Sequence, residues 1–253
     1  MFLPYAADTP MQRIPYANFA MIAVNILVYL YMLTMSEGQL TKFLLEYGLG
    51  ESELEILYVL HNVDNSVLGW ITYMFIHAGF IHLLGNMIFL WVFGNVVCSK
   101  LGTVRYLLAY LGWGLAAAIL HTLTGGGLVV GASGAINGVV GMYFILFPFN
   151  QVSLLMILFV ITRVIRCSGF WIIGMWFVFD IWGALGGTGS GVAYFAHVGG
   201  FLAGAATGTA VLYFGWVKMV YGEMSLLHHF GWLPPLTRDR NPPPNKDKSL
   251  FRR

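Results

Sequence analysis

Few side chains in this sequence are equipped for chemistry, and they sit in three short clusters. Ser133 and His197 are a nucleophile and a base: an imidazole beside a hydroxyl removes its proton as the oxygen attacks a carbonyl, then returns it to the leaving amine. That reaction also needs donors aimed at the developing oxyanion, often the largest single catalytic term. His82 and Asn86 stand at i and i+4, so on a helix they share one face and offer two such donors. The Ser133 backbone N–H offers a third. Rival hydrolytic chemistries lack their residues. A zinc-protease helix needs an H-E-x-x-H string, and none occurs. An aspartyl protease of the membrane needs two aspartates within apolar runs, and only Asp180 qualifies. Cys98 and Cys167 alone make neither a disulfide framework nor a zinc spacing.

The elements that must position these residues are apolar. Of 253 residues, 58% are hydrophobic and 9% charged, where a soluble domain carries about 25% charged residues. So few charges do not cover a water-facing surface, which excludes nucleic-acid binders, disordered regulators and disulfide scaffolds. The chain reads as an all-α polytopic membrane protein. A spanning helix needs ~20 mainly apolar residues, and candidates fall at 18–35, 79–97, 104–122, 132–149, 169–186 and 192–214. The first lacks an A-x-A-like cleavage signal after it and reads as a retained helix. A further run, 151–162, is too short to span and ends in Arg163 and Arg166, so 151–166 reads as an interfacial or half-inserted connector. The expected organisation is a cytoplasmic segment 1–17, a membrane core 18–216 with a long outer loop 36–76, and a basic, Pro-rich cytoplasmic tail 217–253, its last thirty residues unpacked.

Charge position sets the orientation. With the N-terminus inside and six spans, twelve of the thirteen Lys and Arg lie on the inner face and only Lys42 lies outside, a strong positive-inside bias. The near-membrane residues Lys100, Arg105, Arg163, Arg166 and Lys218 carry most of that weight. Counting 151–166 as a seventh span would expel Arg163, Arg166 and the tail, so the reading is six helices, N-in and C-in. Both cysteines then face the reducing side.

In this topology the second, fourth and sixth spans run in the same direction. His82, Ser133 and His197 all fall within roughly 10 Å of the outer surface at 1.5 Å per residue. Small residues at four-residue spacing let membrane helices approach closely. Gly134 and Gly138 make one such stripe, and Gly200, Gly204 and Gly208 another, on the spans that carry Ser133 and His197.

Together these residues resemble the rhomboid intramembrane serine proteases. The matching strings are HAGFIHLLGNM (His77 to Met87), GASGAINGVVG (Gly131 to Gly141) and AHVGGFLAG (Ala196 to Gly204), in the family's order, and the resemblance covers roughly residues 15–215. It implies a six-helix bundle with Ser133 as nucleophile and His197 as general base. His82, Asn86 and the Ser133 N–H would form the oxyanion site, and His77 would be structural. The 36–76 segment would be a partly embedded loop, and the 169–186 span a lateral gate. The implied activity is endoproteolysis of single-span membrane proteins near the outer boundary through an acyl-enzyme, without metal or nucleotide. The implied partners are transmembrane substrates and the bilayer, with no nucleic acid. The compact core looks bacterial, which implies an inner-membrane location.

Two departures stand out. The Trp-Arg pair common in the family's first loop is absent, since Ile71 follows Trp70. Asn137 occupies a position where some members place an aromatic ring against the histidine; one turn below Ser133, it is a candidate to hydrogen-bond there or hold a water. The alternative reading is a catalytically silent relative that binds membrane clients. A transporter would show internal repeats and polar residues tracking across the membrane, and neither is seen. Asp180, a carboxylate within an apolar span, is a functional candidate by default. The sequence does not fix its face, and it stays outside the catalytic set. Trp171, Trp176, Phe177, Phe179 and Trp182 read as a lipid-facing or packing stripe, and His61, His121, His228 and His229 as ordinary surface residues.

Overall fold

A computed structural model describes residues 2–50, 66–158, 161–186, 192–220 and 223–236. Strand β1 (Phe2–Ala7) leads into α1 (Tyr16–Met32), α2 (Glu37–Tyr47) and α3 (Ser66–Thr72). Then follow α4 (Phe80–Leu101), α5 (Thr103–Leu123) and α6 (Ser133–Leu146), strands β2 (Gln151–Leu158) and β3 (Ile161–Ser168), α7 (Gly169–Gly186), α8 (Tyr194–Tyr213) and the short α9 (Leu226–His229). Among the described residues four helices, α4, α5, α7 and α8, are long and apolar enough to cross a membrane. The other two expected positions hold shorter apolar helices, α1 with 17 residues and α6 with 14.

Glycine sets the packing at the centre. A Cβ on Gly200 would overlap the Gly134 carbonyl, one on Gly204 the Gly138 carbonyl, and one on Gly141 the Phe201 carbonyl. The backbones of α6 and α8 therefore touch along this seam, as small residues permit. Trp113 of α5 covers Gly138 and donates from Nε1 to Thr207 Oγ1 of α8 at 3.0 Å, closing a three-helix core.

A polar network ties α1 to this core. Residues Leu90–Gly94 of α4 are π-helical, a local widening that leaves the ladder irregular. The Leu90 carbonyl accepts from Asn18 Nδ2 at 2.8 Å, which also donates to Asn95 Oδ1 at 2.8 Å, while Tyr106 Oη donates to Asn18 Oδ1 at 2.6 Å. Every polar atom of Asn18's amide thereby meets a partner, the condition for burying it. Between α4 and α5 the chain turns at Gly102 alone, whose φ of 81° only glycine adopts without strain.

The described parts of the 36–76 loop are tied down without a Trp-Arg pair. Leu49 and Val129 exchange backbone hydrogen bonds of 3.0 and 2.8 Å, and Thr72 Oγ1 donates to the Tyr47 carbonyl at 2.6 Å. His61 and the acidic residues Glu51, Glu53, Glu55 and Asp64 lie outside the described residues.

Two expectations are corrected. The chain is mostly helical but not all-α, because Gln151–Leu158 and Ile161–Ser168 are β-strands. Strands β2 and β3 pair antiparallel from Gln151↔Ser168 to Leu158↔Ile161, and β1 adds to the free edge of β2 in a three-stranded sheet. The run is too short to span and rich in Val, Ile and Thr, which fit a pleated surface. A short apolar run without alternation cannot be told from a buried helical segment by pattern alone. The tail, too, is packed over its first part: Met219, Ser225 and Leu227 are buried. Glu223 forms a buried ion pair with Lys100 at 2.5 Å and also accepts from the Val220 N–H and Gln12 Nε2. Residues 237–253, with Pro242, Pro243 and Pro244, lie outside the described residues.

Helix α7 differs from the rest. Trp171, Phe179 and Trp182 are 69%, 59% and 72% exposed, whereas Phe177 stacks on Phe201 at 4.0 Å and Trp176 lies against Phe89 and Phe93. The aromatic run thus divides between a bare face and a packing face.

The glycine seam makes a direct prediction. Gly204→Val inserts a side chain where the Gly138 backbone already stands, and is expected to destabilise the fold by about 1–3 kcal/mol or more. Gly112→Ala, where a Cβ meets nothing within 4 Å, is expected to be neutral or slightly stabilising. Thermal unfolding in detergent, followed by circular dichroism, compares the two.

Candidate active site

Ser133 opens α6 and His197 lies in the first turn of α8. The α6–α8 seam sets their separation: Ser133 Oγ donates to His197 Nε2 at 2.9 Å. The other face of the imidazole is also engaged, since His197 Nδ1–H donates to Asp180 Oδ1 of α7 at 2.9 Å. An ionised carboxylate only accepts, so the proton lies on Nδ1 toward Asp180 and Nε2 is left to accept from the Ser133 hydroxyl.

At the start of a helix the first N–H groups have no intrahelical acceptor. Here the first bond of α6 runs from Ile136 N to the Ala132 carbonyl at 2.9 Å, so the N–H groups of Ser133, Gly134 and Ala135 precede it. At 14 residues α6 is about 21 Å long, against a hydrocarbon thickness of ~30 Å. It is therefore shorter than the hydrocarbon of a bilayer, so its two ends do not both reach the surfaces.

On α4, Asn86 Nδ2 donates to His77 Nε2 at 2.9 Å. His77 is fully buried, and this bond orients the Asn86 amide while leaving its second N–H available among the described residues. The His77 and His82 rings meet edge to face at 5.1 Å. Gly131, whose φ is 134°, lets the His82 ring approach: a Cβ there would stand 2.7 Å from its Cε1. The Gly131 N–H is held by the Tyr73 carbonyl at 2.8 Å.

These groups line one cavity of about 620 Å³, with His82, Asn86, Ser133, Asn137, Asp180 and His197 as its polar wall and Trp176 and Phe177 among its apolar lining. Among the residues singled out from the sequence, Ser133, His197, His82 and Asn86 converge here, and His77 stands behind Asn86. Asn137 also reaches the cavity, but its Nδ2 donates to the Ser133 carbonyl at 3.0 Å rather than to the hydroxyl or the imidazole. Among the described residues no group of three or more His, Cys, Asp or Glu converges as a metal-ligand set.

From the sequence, Asp180 is a functional candidate of open face, kept outside the catalytic set; the structure sets it against His197 Nδ1. The depth match was in fact available. Asp180 lies six residues from the C-terminal end of α7 and His197 three from the start of α8, offsets of about 9 and 4.5 Å in antiparallel neighbours. What the pattern withheld was the face. His121 is a second correction: it is buried, and its Nε2 bonds the Gly127 carbonyl at 2.9 Å. His228 is half-buried against Ser225, and His229 is exposed.

Gly131→Ala is expected to force the backbone from its positive φ or the His82 ring from its seat. A loss of about 1–3 kcal/mol follows, with a shifted His82 ring resonance; unchanged melting and an unchanged resonance would contradict the packing described.

The family model for the Rhomboid domain matches residues 64–214. Rhomboid protease GluP of Bacillus subtilis is 34% identical over 105 residues, covering 39% of this chain and 21% of that protein. The putative rhomboid protease YdcA of the same organism is 40% identical over 83 residues, 32% of this chain and 42% of its own. RHOMBOID-like protein 2 of Arabidopsis thaliana is 33% identical over 185 residues, 67% of this chain and 52% of its own. The chain thus spans from about a fifth to about half of the length of these relatives.

Proposed function

The chain belongs to the rhomboid family, and from that membership we propose an intramembrane serine endopeptidase that cleaves single-span membrane proteins near the outer membrane boundary. The observation that carries this reading is the 2.9 Å hydrogen bond between Ser133 Oγ and His197 Nε2, in a cavity that also presents oxyanion donors.

In this mechanism Ser133 Oγ attacks the scissile carbonyl carbon as His197 Nε2 takes its proton. The tetrahedral oxyanion is met by the Ser133 N–H at the head of α6, the free N–H of Asn86 and the His82 imidazole. Collapse expels the amine, which receives the proton from His197, and leaves an acyl-enzyme on Ser133. Water, deprotonated by the same imidazole, then releases the acid and regenerates the hydroxyl. No cofactor enters. His77 holds Asn86 in place, and Asn137 braces the first turn of α6.

The topology we propose is six crossings, N-in and C-in, with α1 and α6 as the two short members. Twelve of thirteen basic residues then lie inside, and the active site opens outward, where water can enter. Peptide bonds of a membrane helix are internally bonded and shielded, so the substrate must present a locally unwound segment. Small or helix-breaking residues near the scissile bond meet that need. The bare, aromatic face of α7 suits it to admit such a segment from the lipid. The membrane we propose is a bacterial plasma membrane, on the compact core; the relatives themselves come from bacteria, a plant and yeast.

Proteoliposomes holding a single-span substrate with small residues at its outer boundary test the reading. Wild type is expected to cut; Ser133→Ala and His197→Ala are expected not to. Asn86→Ala and His82→Ala are each expected to lower kcat by about 10²–10³-fold with a smaller change in KM. A wild type that binds the substrate and leaves it whole would instead make the protein a client-binding relative.

A further inference from the structure

We propose that Asp180 is the third member of the catalytic relay, a positioning residue that holds the His197 imidazole in the tautomer and orientation that activate Ser133. The inference rests on the protease reading and extends it from two residues to three.

Three observations carry it. First, the geometry is linear in its logic: Ser133 Oγ to His197 Nε2 at 2.9 Å, and His197 Nδ1 to Asp180 Oδ1 at 2.9 Å. A neutral imidazole has two tautomers, and only the one protonated on Nδ1 leaves a lone pair on Nε2 for the serine proton. An acceptor at Nδ1 selects that tautomer. Second, the carboxylate has this imidazole to answer to. Asp180 and His197 side chains are 17% and 15% exposed, and among the described residues none that lines the cavity is Lys or Arg. The other ionisable groups at hand are His82, on the same cavity wall, and Tyr194, whose ring lies edge-on 6.3 Å from His197. Third, the surroundings are apolar, with Phe177, Phe179 and Val192 in the same lining. A carboxylate there is retained at a cost, and it acts most strongly on a charge that forms beside it.

That charge forms in the reaction. When Nε2 takes the Ser133 proton, the ring becomes an imidazolium with one proton on each nitrogen. Asp180 stabilises it across the Nδ1–H bond and does not take the proton itself. The proton on Nε2 leaves with the amine, and the ring returns to its starting tautomer. Because Asp180 rides on α7, this arrangement holds only while α7 lies against α8 through the Phe177–Phe201 stack and the seating of Tyr194 on Gly183.

The test compares wild type, Asp180→Asn and Asp180→Glu in proteoliposomes, measuring kcat and KM for a single-span substrate and the rate of labelling by a fluorophosphonate probe. Asp180→Asn keeps the shape but offers an N–H toward Nδ1 and removes the charge. It is expected to lower kcat by about 10²–10⁴-fold, with KM changed less than about threefold and probe labelling slowed in parallel. Asp180→Glu, which restores a carboxylate, is expected to recover about tenfold or more of that loss. An Asp180→Asn enzyme within about twofold of wild-type kcat would overturn the proposal, as would equal losses in the Asn and Glu variants that track loss of folded protein. A measurement independent of variant folding is the ¹⁵N spectrum of histidine-labelled wild type: His197 is expected to carry its proton on Nδ1, and a proton on Nε2 would overturn the proposal. Wild type that neither cuts nor labels overturns the protease reading as well; active wild type with an equally active Asp180→Asn variant removes Asp180 alone.

Discussion

The site depends on the close approach of two helix backbones. Ser133 and His197 belong to different helices, 64 positions apart in the chain, and a serine hydroxyl reaches an imidazole only if those helices nearly touch. In a membrane, lipid tails are as apolar as side chains, so helices gain little by hiding apolar surface from each other. Close packing and hydrogen bonding must hold them together. The α6–α8 seam is built for this: Gly134 and Gly138 face Gly200 and Gly204 with no room for a Cβ. Trp113 closes the seam from α5 through Thr207. A wider seam would leave both residues in place in the sequence and separate them in space.

The shortness of α6 is the second half of the design. A helix of 14 residues is shorter than the hydrocarbon of a bilayer, and its first N–H groups have no intrahelical acceptor. Such groups are costly in lipid unless a cavity and a ligand meet them. Here Ser133 stands among them, and the carbonyl oxygen of a bound peptide is a natural acceptor. Gly131 brings His82 alongside, and His77 turns the Asn86 amide. The nucleophile candidate and the first N–H groups of α6 therefore share one origin, while His82 and Asn86 reach the same cavity from α4.

Much of this was legible in the sequence because it is carried by local pattern. The i, i+4 pair of His82 and Asn86, the four-residue glycine spacing and the depth of Ser133 and His197 are all readable along a single helix. What failed was long-range or lacked contrast. Helix α7 is apolar on every side, so no polar stripe told which face carries Asp180. The stretch 154–161 is continuously apolar, so its strand character had little alternation to reveal it, and its pairing partner β1 lies at the other end of the chain. Lys100 read only as a basic residue of the inner face, because its partner Glu223 is 123 residues away. His121 read as an ordinary surface residue, whereas it is buried and bonded to the Gly127 carbonyl.

The central claim is that His197 activates Ser133 as a nucleophile. The most direct measurement is mass-spectrometric mapping of the adduct formed when the detergent-solubilised protein reacts with a fluorophosphonate. The account predicts a single phosphonylated residue, Ser133, in wild type and none in the His197→Ala protein. An unmodified Ser133 in folded wild type, or equal modification without His197, would contradict it.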